Sequence, residues 1–251
     1  MSKVLYIQDH DVTWIQFNRP EKRNAIDEET MDQFAEALAQ AKGDQSKVII
    51  VTGAGEKAFC AGGDLSSFHK LKTESEAKAM LAKMAKILLD VYYCPKLTVA
   101  ALNGAAVGGG CEIAAACDIR LAAPHSKFGF IQGTLGITTG WGGTSFLMTR
   151  VQPHVSLEMT MTGKVYSSDV GENLGFIQKV IQKIPFREGV KEWLGLYTVL
   201  DQEVLIAYKE RHLDRISRKE LIWRIEREVA KCAQLWERDA HHEAVDAFLR
   251  M

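Results

Sequence analysis

The apolar positions at the start of the chain change from strand-like to helix-like spacing. Val4 to Ile7 and Val12 to Phe17 are β-prone runs separated by four polar residues, which predicts an opening hairpin. Asp27 then stands in an N-cap position before an apolar face spaced i, i+3, i+4, i+7, which predicts an amphipathic helix. The residues of that face are Met31, Phe34, Ala35 and Leu38.

The pattern then repeats with variations. Val48 to Thr52 is a continuous β-branched run, typical of a strand that is buried on both faces. A helix is predicted near Glu74 to Tyr92, and a second buried strand at Thr98 to Leu102. An Ala-rich helix from about Cys111 to Cys117 follows. Because strands and helices alternate, the fold class is predicted to be α/β with a parallel sheet.

The composition changes near Phe186. Beyond it glycine almost vanishes and helix-forming residues dominate, so we predict an α/β core over residues 1–185 and a helical region over 186–251. That region could cover a ligand cleft or form contacts between subunits, and the pattern leaves both open. One long helix within it carries an apolar stripe. The stripe is Leu221, Ile225, Val229, Cys232 and Trp236.

Charge argues against binding to nucleic acid. The 251 residues include 31 Lys and Arg against 32 Asp and Glu, a net charge of −1, and 47% of the residues are hydrophobic. This composition is typical of a globular protein and gives no general attraction to polyanions. The basic stretch from Lys209 to Arg224 is interleaved with acidic residues, which favours a solvated helix face over a contact with phosphate.

Hydropathy and cysteine content indicate the compartment. No apolar run approaches the roughly 18 residues of a membrane span, and the first ten residues lack the apolar segment of a signal peptide. The five cysteines are an odd number without CxxC spacing, as expected for reduced thiols. We therefore expect a cytoplasmic protein without a membrane or metal site.

Two glycine-bearing turns are candidates for chemistry. Phe59 to Leu65 and Val107 to Glu112 each follow a predicted strand and approach a helix. Glycine allows close approach of the backbone to a ligand, and amides at a helix N-terminus carry partial positive charge, so either turn could bind an anion or oxyanion. Each could equally be a simple tight turn. Neither has the spacing of a Walker A or GxGxxG motif, so nucleotide sites have little support.

Glu112 lies in the first turn of an apolar helix. A carboxylate there can be a structural cap or a base directed into a dry cleft, and the pattern alone does not choose. His69 could approach the same site as a proton donor, although a solvated loop histidine is the simpler interpretation. His241 and His242 follow Trp236 on what is taken as the same helix and are interpreted as helix-end residues.

Several motifs occur together in a recognisable order. They are Asn18-Arg19-Pro20 with Asn24-Ala25, Ala58 to Leu65, Asn103-Gly104, Gly108-Gly109-Gly110-Cys111-Glu112, Cys117-Asp118-Ile119, Phe128-Gly129, Leu135-Gly136 and Trp141-Gly142-Gly143. This set resembles the crotonase, or enoyl-CoA hydratase/isomerase, superfamily. The resemblance spans about residues 3 to 182, and the helical tail matches only in kind.

The resemblance implies a ClpP-like spiral of ββα turns, a homotrimer or a dimer of trimers, and acyl-CoA substrates with no cofactor beyond the coenzyme A of the substrate. It implies that the amides of Gly63 and Gly109 polarise the thioester oxygen and that Glu112 is the main acid/base. It also implies a set of substrate-binding residues. These are Lys22, Arg23 and Ala25 near the nucleotide, and Ala61, Asp64, Leu65, Gly108 and Trp141 along the CoA and acyl path.

Gln132 departs from the family pattern, because the two-carboxylate hydratases have a second glutamate at its position. An amide can bind water or substrate but cannot exchange a proton at neutral pH. Three interpretations remain: a hydratase or isomerase with Glu112 as the sole acid/base, a decarboxylase of malonyl-type CoA thioesters, and a non-catalytic acyl-CoA- or RNA-binding protein. Hydration of a 2-enoyl-CoA is preferred. Residues 136–143 also resemble the ethylmalonyl-CoA decarboxylase branch, which keeps decarboxylation open.

Overall fold

Ten strands and eleven helices alternate along residues 2–250, the part of the chain that the computed structural model describes. The strands are β1 Val4–Asp9, β2 Val12–Phe17, β3 Val48–Gly53, β4 Ala58–Cys60, β5 Leu97–Leu102, β6 Ala105–Val107, β7 Ile119–Ala122, β8 Lys127–Gly129, β9 Tyr166–Ser167 and β10 Lys179–Val180. The helices are α1 Glu28–Gly43, α2 Leu65–Phe68, α3 Glu74–Tyr92, α4 Gly109–Ala116, α5 Gly143–Leu147, α6 Pro153–Thr162, α7 Ser168–Asn173, α8 Phe186–Thr198, α9 Gln202–Leu213, α10 Arg218–Trp236 and α11 Asp239–Leu249.

The strands form two sheets that the chain visits in turn. The larger has the order β1-β2-β3-β5-β7-β10 and the smaller has the order β4-β6-β8-β9. Only the hairpin β1–β2 and the pair β8–β9 are antiparallel; the other pairs are parallel. Successive units each add one strand to each sheet before a helix, which produces the predicted spiral of ββα turns. The α/β prediction is confirmed.

Both faces of the larger sheet are buried, as the β-branched run in β3 predicts. Ile49 and Val51 contribute to the main core under the helices, whereas Val48 and Ile50 belong to a second apolar cluster. That second cluster is covered by α8, which contributes Val190 and Leu194. The C-terminal helices therefore begin by covering a sheet face.

Helix boundaries follow local signals closely. The Asp27 side chain accepts a hydrogen bond from the Thr30 amide at the start of α1, and α3 covers the predicted 74–92. Thr73 and Glu76 form a capping box at the start of α3. The Ala-rich helix α4 begins two residues earlier than predicted, at Gly109. Among the described residues, no helix combines the length and apolar character needed to cross a bilayer.

The prediction of a solvated helix face from Lys209 to Arg224 is wrong for Lys209. Its stretch divides between α9 and α10, and Lys209 itself is buried. Its Nζ donates to Asp118 Oδ2 at 2.6 Å and to the Lys96 carbonyl at 2.7 Å. Burial acts to raise the pKa of Asp118, but the nearby Lys209 and Arg150 charges hold it below the ordinary value. Charge alternation in sequence cannot reveal one buried partner, which depends on how α9 packs.

Removing the Lys209 ammonium while keeping its volume should destabilise the protein. Lys209→Met leaves the buried Asp118 carboxylate without its closest partner, and loss of one member of a buried pair typically costs about 3–5 kcal/mol. Urea unfolding followed by circular dichroism measures the change. Lys219→Met, at an exposed position on α10, is the matched control. Equal unfolding midpoints for the two variants would contradict the structural role of this pair.

Candidate active site

Three parallel strands of the smaller sheet end side by side at one edge. The turn after β4 contains Gly63, the turn after β6 leads to Gly109 at the start of α4, and β8 leads to Gln132 in a 3₁₀ turn. Since β4 pairs with β6 and β6 with β8, their carboxyl ends deliver these three residues to the same place. Carboxyl ends of parallel strands are the usual position of ligand sites in α/β folds.

The amides of Gly63 and Gly109 are available to a ligand. Within residues 2–250 neither N–H donates a hydrogen bond to a protein group. A Cβ placed on Gly62 would lie 2.9 Å from the Gly109 nitrogen, so the two turns adjoin. Gly108, which precedes α4, has φ +55° and ψ −121°, a backbone conformation that favours glycine. The arrangement provides two adjacent unpaired donors, as an oxyanion site requires.

The Trp141 indole packs against these donors. A Cβ on Gly109 would lie 2.1 Å from Trp141 Cζ3, and a Cβ on Gly63 would lie 3.7 Å from Trp141 Cζ2. Phe68 covers Gly63 from another side, at 3.1 Å from the same hypothetical atom. Aromatic carbon therefore packs against both glycines and forms part of the apolar surroundings of the two turns.

Glu112 is 3% exposed and is held by amide donors alone. Oε2 accepts hydrogen bonds from the backbone N–H groups of Trp141 and Gly143, both at 2.8 Å. Oε1 accepts from Gln132 Nε2 at 2.9 Å and from the Gly140 N–H at 3.4 Å. Within residues 2–250 no Lys, Arg or His nitrogen lies within 4.0 Å of this carboxylate.

This environment changes the acidity of the group. Burial, reinforced by the nearby charge of Glu228, raises the pKa of Glu112 to about 8, although the amide hydrogen bonds act in the opposite direction. The group can therefore exist in either protonation state near neutral pH. Such a pKa suits an acid or base whose proton must be exchanged during a reaction.

Gln132 is 7% exposed, and only the nitrogen of its side-chain amide forms a hydrogen bond within the protein. Its Nε2 donates to Glu112, whereas its Oε1 is buried and has no hydrogen-bond partner among the described residues. An unpaired buried acceptor is costly unless water or a ligand satisfies it. The Gln132 oxygen is thus a buried acceptor beside Glu112 that no described protein group satisfies.

A cavity of about 720 Å³ connects these groups. Its buried apolar wall includes residues from α3 and α10, whereas exposed Lys22 and Arg23 lie at its solvent edge. All twelve residues expected in the site line it, and the structure brings them together. They are Lys22, Arg23, Ala25, Ala61, Gly63, Asp64, Leu65, Gly108, Gly109, Glu112, Gln132 and Trp141.

The loop at the edge is attached to the turn that carries Gly63. Arg19 donates through Nη1 to the Ala25 carbonyl at 2.6 Å and through Nη2 to Asp64 Oδ2 at 2.8 Å. Ile26 donates its N–H to the Gly62 carbonyl at 2.8 Å. The Asp64 carboxylate also caps α2 by accepting a hydrogen bond from the Ser66 amide. The Asp64 side chain therefore stabilises the turn that carries Gly63.

Comparison with known proteins agrees with this geometry. The sequence profile described as enoyl-CoA hydratase/isomerase matches residues 8–250. The chain belongs to the enoyl-CoA hydratase/isomerase family. It is 33% identical over 193 residues to crotonyl-CoA hydratase of Syntrophomonas wolfei, which covers 76% of this chain and 74% of that protein.

Other relatives have different named activities. Over 207 residues the chain is 30% identical to ethylmalonyl-CoA decarboxylase of Pongo abelii, covering 81% of this chain and 68% of that protein. The crystal structure of enoyl-CoA hydratase from Bacillus halodurans superposes with a TM-score of 0.89 at 25% identity, covering 98% of this chain and all of that one. The crotonase resemblance and the fold predicted from it are confirmed.

The structure decides between the two interpretations of His69 and corrects the placement of His241 and His242. His69 does not line the described cavity, which agrees with the simpler interpretation of a histidine outside the site; its Nδ1 donates to the Leu65 carbonyl at 3.0 Å. His241 and His242 lie in the first turn of α11, since α10 ends at Trp236. His241 is buried, packs against Trp236 with ring centroids 4.5 Å apart and the ring planes tilted by 49°, and donates from Nδ1 to the Leu135 carbonyl at 2.7 Å.

The sequence pattern did not reveal that α10 contributes to the site. Cys232 and Trp236 were assigned only to an apolar stripe, yet both line the cavity. Glu228 was not singled out, although it lies three residues after Ile225 and four before Cys232. That spacing places an acidic residue on the buried face of α10, which was the available signal.

A methyl group on Gly109 should disturb Trp141. Gly109→Ala places Cβ inside the indole, and such overpacking typically costs about 1–3 kcal/mol of unfolding free energy. Gly133→Ala is the control, because its Cβ meets nothing within 4 Å. In a Trp141→Ala background the cost of Gly109→Ala should largely disappear, and urea unfolding of the four-member cycle measures this coupling. Additive effects would argue against the contact.

Proposed function

We propose that this enzyme-family member adds water across the double bond of a 2-enoyl-CoA thioester. The observation that carries the proposal is the hydrogen-bonded Glu112–Gln132 pair, which lines the same cavity as two unpaired backbone amides and includes an amide oxygen without a protein partner. The relatives named as hydratases, from Syntrophomonas wolfei and Clostridium acetobutylicum, support the same reaction class.

The amides of Gly63 and Gly109 receive the thioester oxygen in this proposal. Attack at the β-carbon moves electrons toward that oxygen, so the two donors bind the enolate more strongly than the ground-state carbonyl. Removal of one such donor typically costs about 3–4 kcal/mol of transition-state stabilisation. The Trp141 ring packs against both glycines and contributes apolar surface beside the donors.

Glu112 and Gln132 then handle one water molecule. Ionised Glu112 takes a proton from water while Gln132 Oε1 accepts a hydrogen bond from the other O–H. The resulting hydroxide forms a bond to the β-carbon, and the π electrons move to the thioester oxygen. Glu112 delivers the proton it has taken to the α-carbon, which closes the balance: one water is added and the carboxylate is regenerated.

The cavity also suggests the class of substrate. Its buried wall is apolar and fits a hydrocarbon acyl chain, and Lys22 and Arg23 at the edge can contact the phosphates of coenzyme A. The proposal requires no cofactor other than the coenzyme A carried by the substrate. The apolar lining residues from the helices are Met80, Leu81, Cys232 and Trp236.

The protonation of Glu112 favours a second candidate, decarboxylation of a malonyl-type CoA such as ethylmalonyl- or methylmalonyl-CoA. Loss of CO₂ breaks the bond to the α-carbon and leaves its electrons in the enolate, which then needs a proton. Because the pKa of Glu112 is about 8, the group is mostly neutral at pH 7 and would neither repel the substrate carboxylate nor lack a proton to donate. The relative named ethylmalonyl-CoA decarboxylase supports this candidate.

The proposal extends to assembly as a homotrimer or a dimer of trimers. Large apolar side chains are exposed on α6, α8 and α9 and in the connection between α8 and α9, a pattern typical of subunit interfaces. Light scattering of the purified protein distinguishes a monomer from these assemblies. The side chains are Leu157, Met161, Leu196, Val199, Val204 and Tyr208.

Glu112→Gln should abolish most turnover while the site remains intact. The amide keeps the size of the carboxyl group but cannot exchange a proton, and acid/base groups typically contribute about 10²–10⁴-fold. Steady-state assays with crotonyl-CoA measure the loss, and calorimetric titration with coenzyme A should show affinity within about twofold of wild type. Glu36→Gln, at an exposed site on α1, is the control. Full turnover by Glu112→Gln would refute the acid/base role.

The pH profile and the products should separate the two candidates. Hydration needs ionised Glu112, so kcat/KM should rise with pH through about 8; decarboxylation needs the protonated group, so kcat/KM should fall above about 8. Mass spectrometry of the products from enoyl-CoA and branched malonyl-CoA thioesters identifies addition of water or loss of CO₂. Coenzyme A binding with neither product would instead indicate the non-catalytic alternative.

A further inference from the structure

We infer that Glu228, on α10, is a positioning residue that fixes the segment holding Glu112 and thereby sets the protonation behaviour of the site. This inference rests on the proposed acid/base role of Glu112. It concerns residues 139–145, which include the start of α5 and donate hydrogen bonds to both carboxylates.

Glu228 holds one half of this segment. Its Oε1 accepts from the Thr144 N–H at 3.1 Å and from the Thr139 hydroxyl. Its Oε2 accepts from the Ser145 N–H at 3.0 Å and from the Ser145 hydroxyl at 2.7 Å. Four donors from three residues therefore converge on one carboxylate of the C-terminal helical region.

Glu112 holds the other half, because its donors are the amides of residues 140, 141 and 143. The first three amides of α5 are thus divided: Gly143 donates to Glu112, whereas Thr144 and Ser145 donate to Glu228. Amides of a first helical turn have no partner within the helix. A shift of the Glu228 side chain would move the amides beside it and alter the bonds to Glu112.

The two carboxylates also interact through their charges. Within residues 2–250 neither has a Lys, Arg or His nitrogen within 4.0 Å. The other titratable groups in this environment are the thiols of Cys232 on α10 and Cys111 on α4; burial and the nearby carboxylates raise the pKa of both. Burial also raises the pKa of Glu228, although the hydrogen bonds from residues 139, 144 and 145 act in the opposite direction. When it is ionised, Glu228 is the carboxylate whose charge opposes ionisation of Glu112.

Neutralising Glu228 should make Glu112 easier to ionise. In Glu228→Gln, the part of the pH–rate profile that follows ionisation of Glu112 (its pH limb) should move to lower pH, whether Glu112 acts as base or as acid. The value of kcat should fall at least about tenfold, with little change in KM. Glu228→Asp keeps the charge on a shorter side chain, so kcat should fall while the limb remains near its wild-type position. Glu226→Gln, exposed on the same helix, should match the wild type in both.

These variants separate positioning from simple stabilisation. A purely structural role would lower the urea midpoint and the yield of active enzyme without moving the pH limb. If folded Glu228→Gln keeps the wild-type pH dependence of the rate, the inference is wrong. If Glu228→Gln does not fold, wild-type kcat in Glu228→Asp would overturn the inference instead. If Glu112→Gln remains active, the proposed function itself fails; if it is inactive and only the Glu228 prediction fails, the inference alone is wrong.

Discussion

The burial of the Glu112 carboxylate without a cationic partner is the constraint on which the rest of the site depends. A buried carboxylate loses several kcal/mol of hydration, and the protein compensates with amide donors rather than with a charge. Those donors come from Gln132 and from the backbone of residues 140–143. An arginine in the same place would lower the pKa of Glu112 and remove its ability to exchange a proton near neutrality.

Stabilisation of Glu112 by backbone amides requires close packing between α4 and α5. A Cβ on Gly143 would lie 2.4 Å from Glu112 Cγ, so only glycine lets α5 approach close enough for its amide to reach the carboxylate. The Trp141 N–H donates to Glu112 while its ring packs against the α-carbon side of Gly109. One short segment therefore contacts both Glu112 and the turn that carries Gly109, and α10 holds that segment through Glu228.

Local sequence signals identified most of the framework. The cap at Asp27, the limits of α3 and the two-faced burial of β3 followed from spacing and residue type. The two glycine turns were visible as candidates, but both interpretations stayed open until the parallel pairing of β4 with β6 placed them together. His241 was assigned to the wrong helix because the break at residues 237–238 contains neither glycine nor proline.

The sequence by itself determined the α/β class, the family and the residue types available for chemistry, because these depend on periodicity and on contiguous motifs. Tertiary structure alone decided that the free oxygen of Gln132 lies beside Glu112 and that Glu228, 116 positions further along the chain, holds the same segment. Such contacts depend on how helices pack, and their consequences for pKa depend on burial. Neither the packing of helices nor the burial of a side chain can be read from the spacing of residues along the chain.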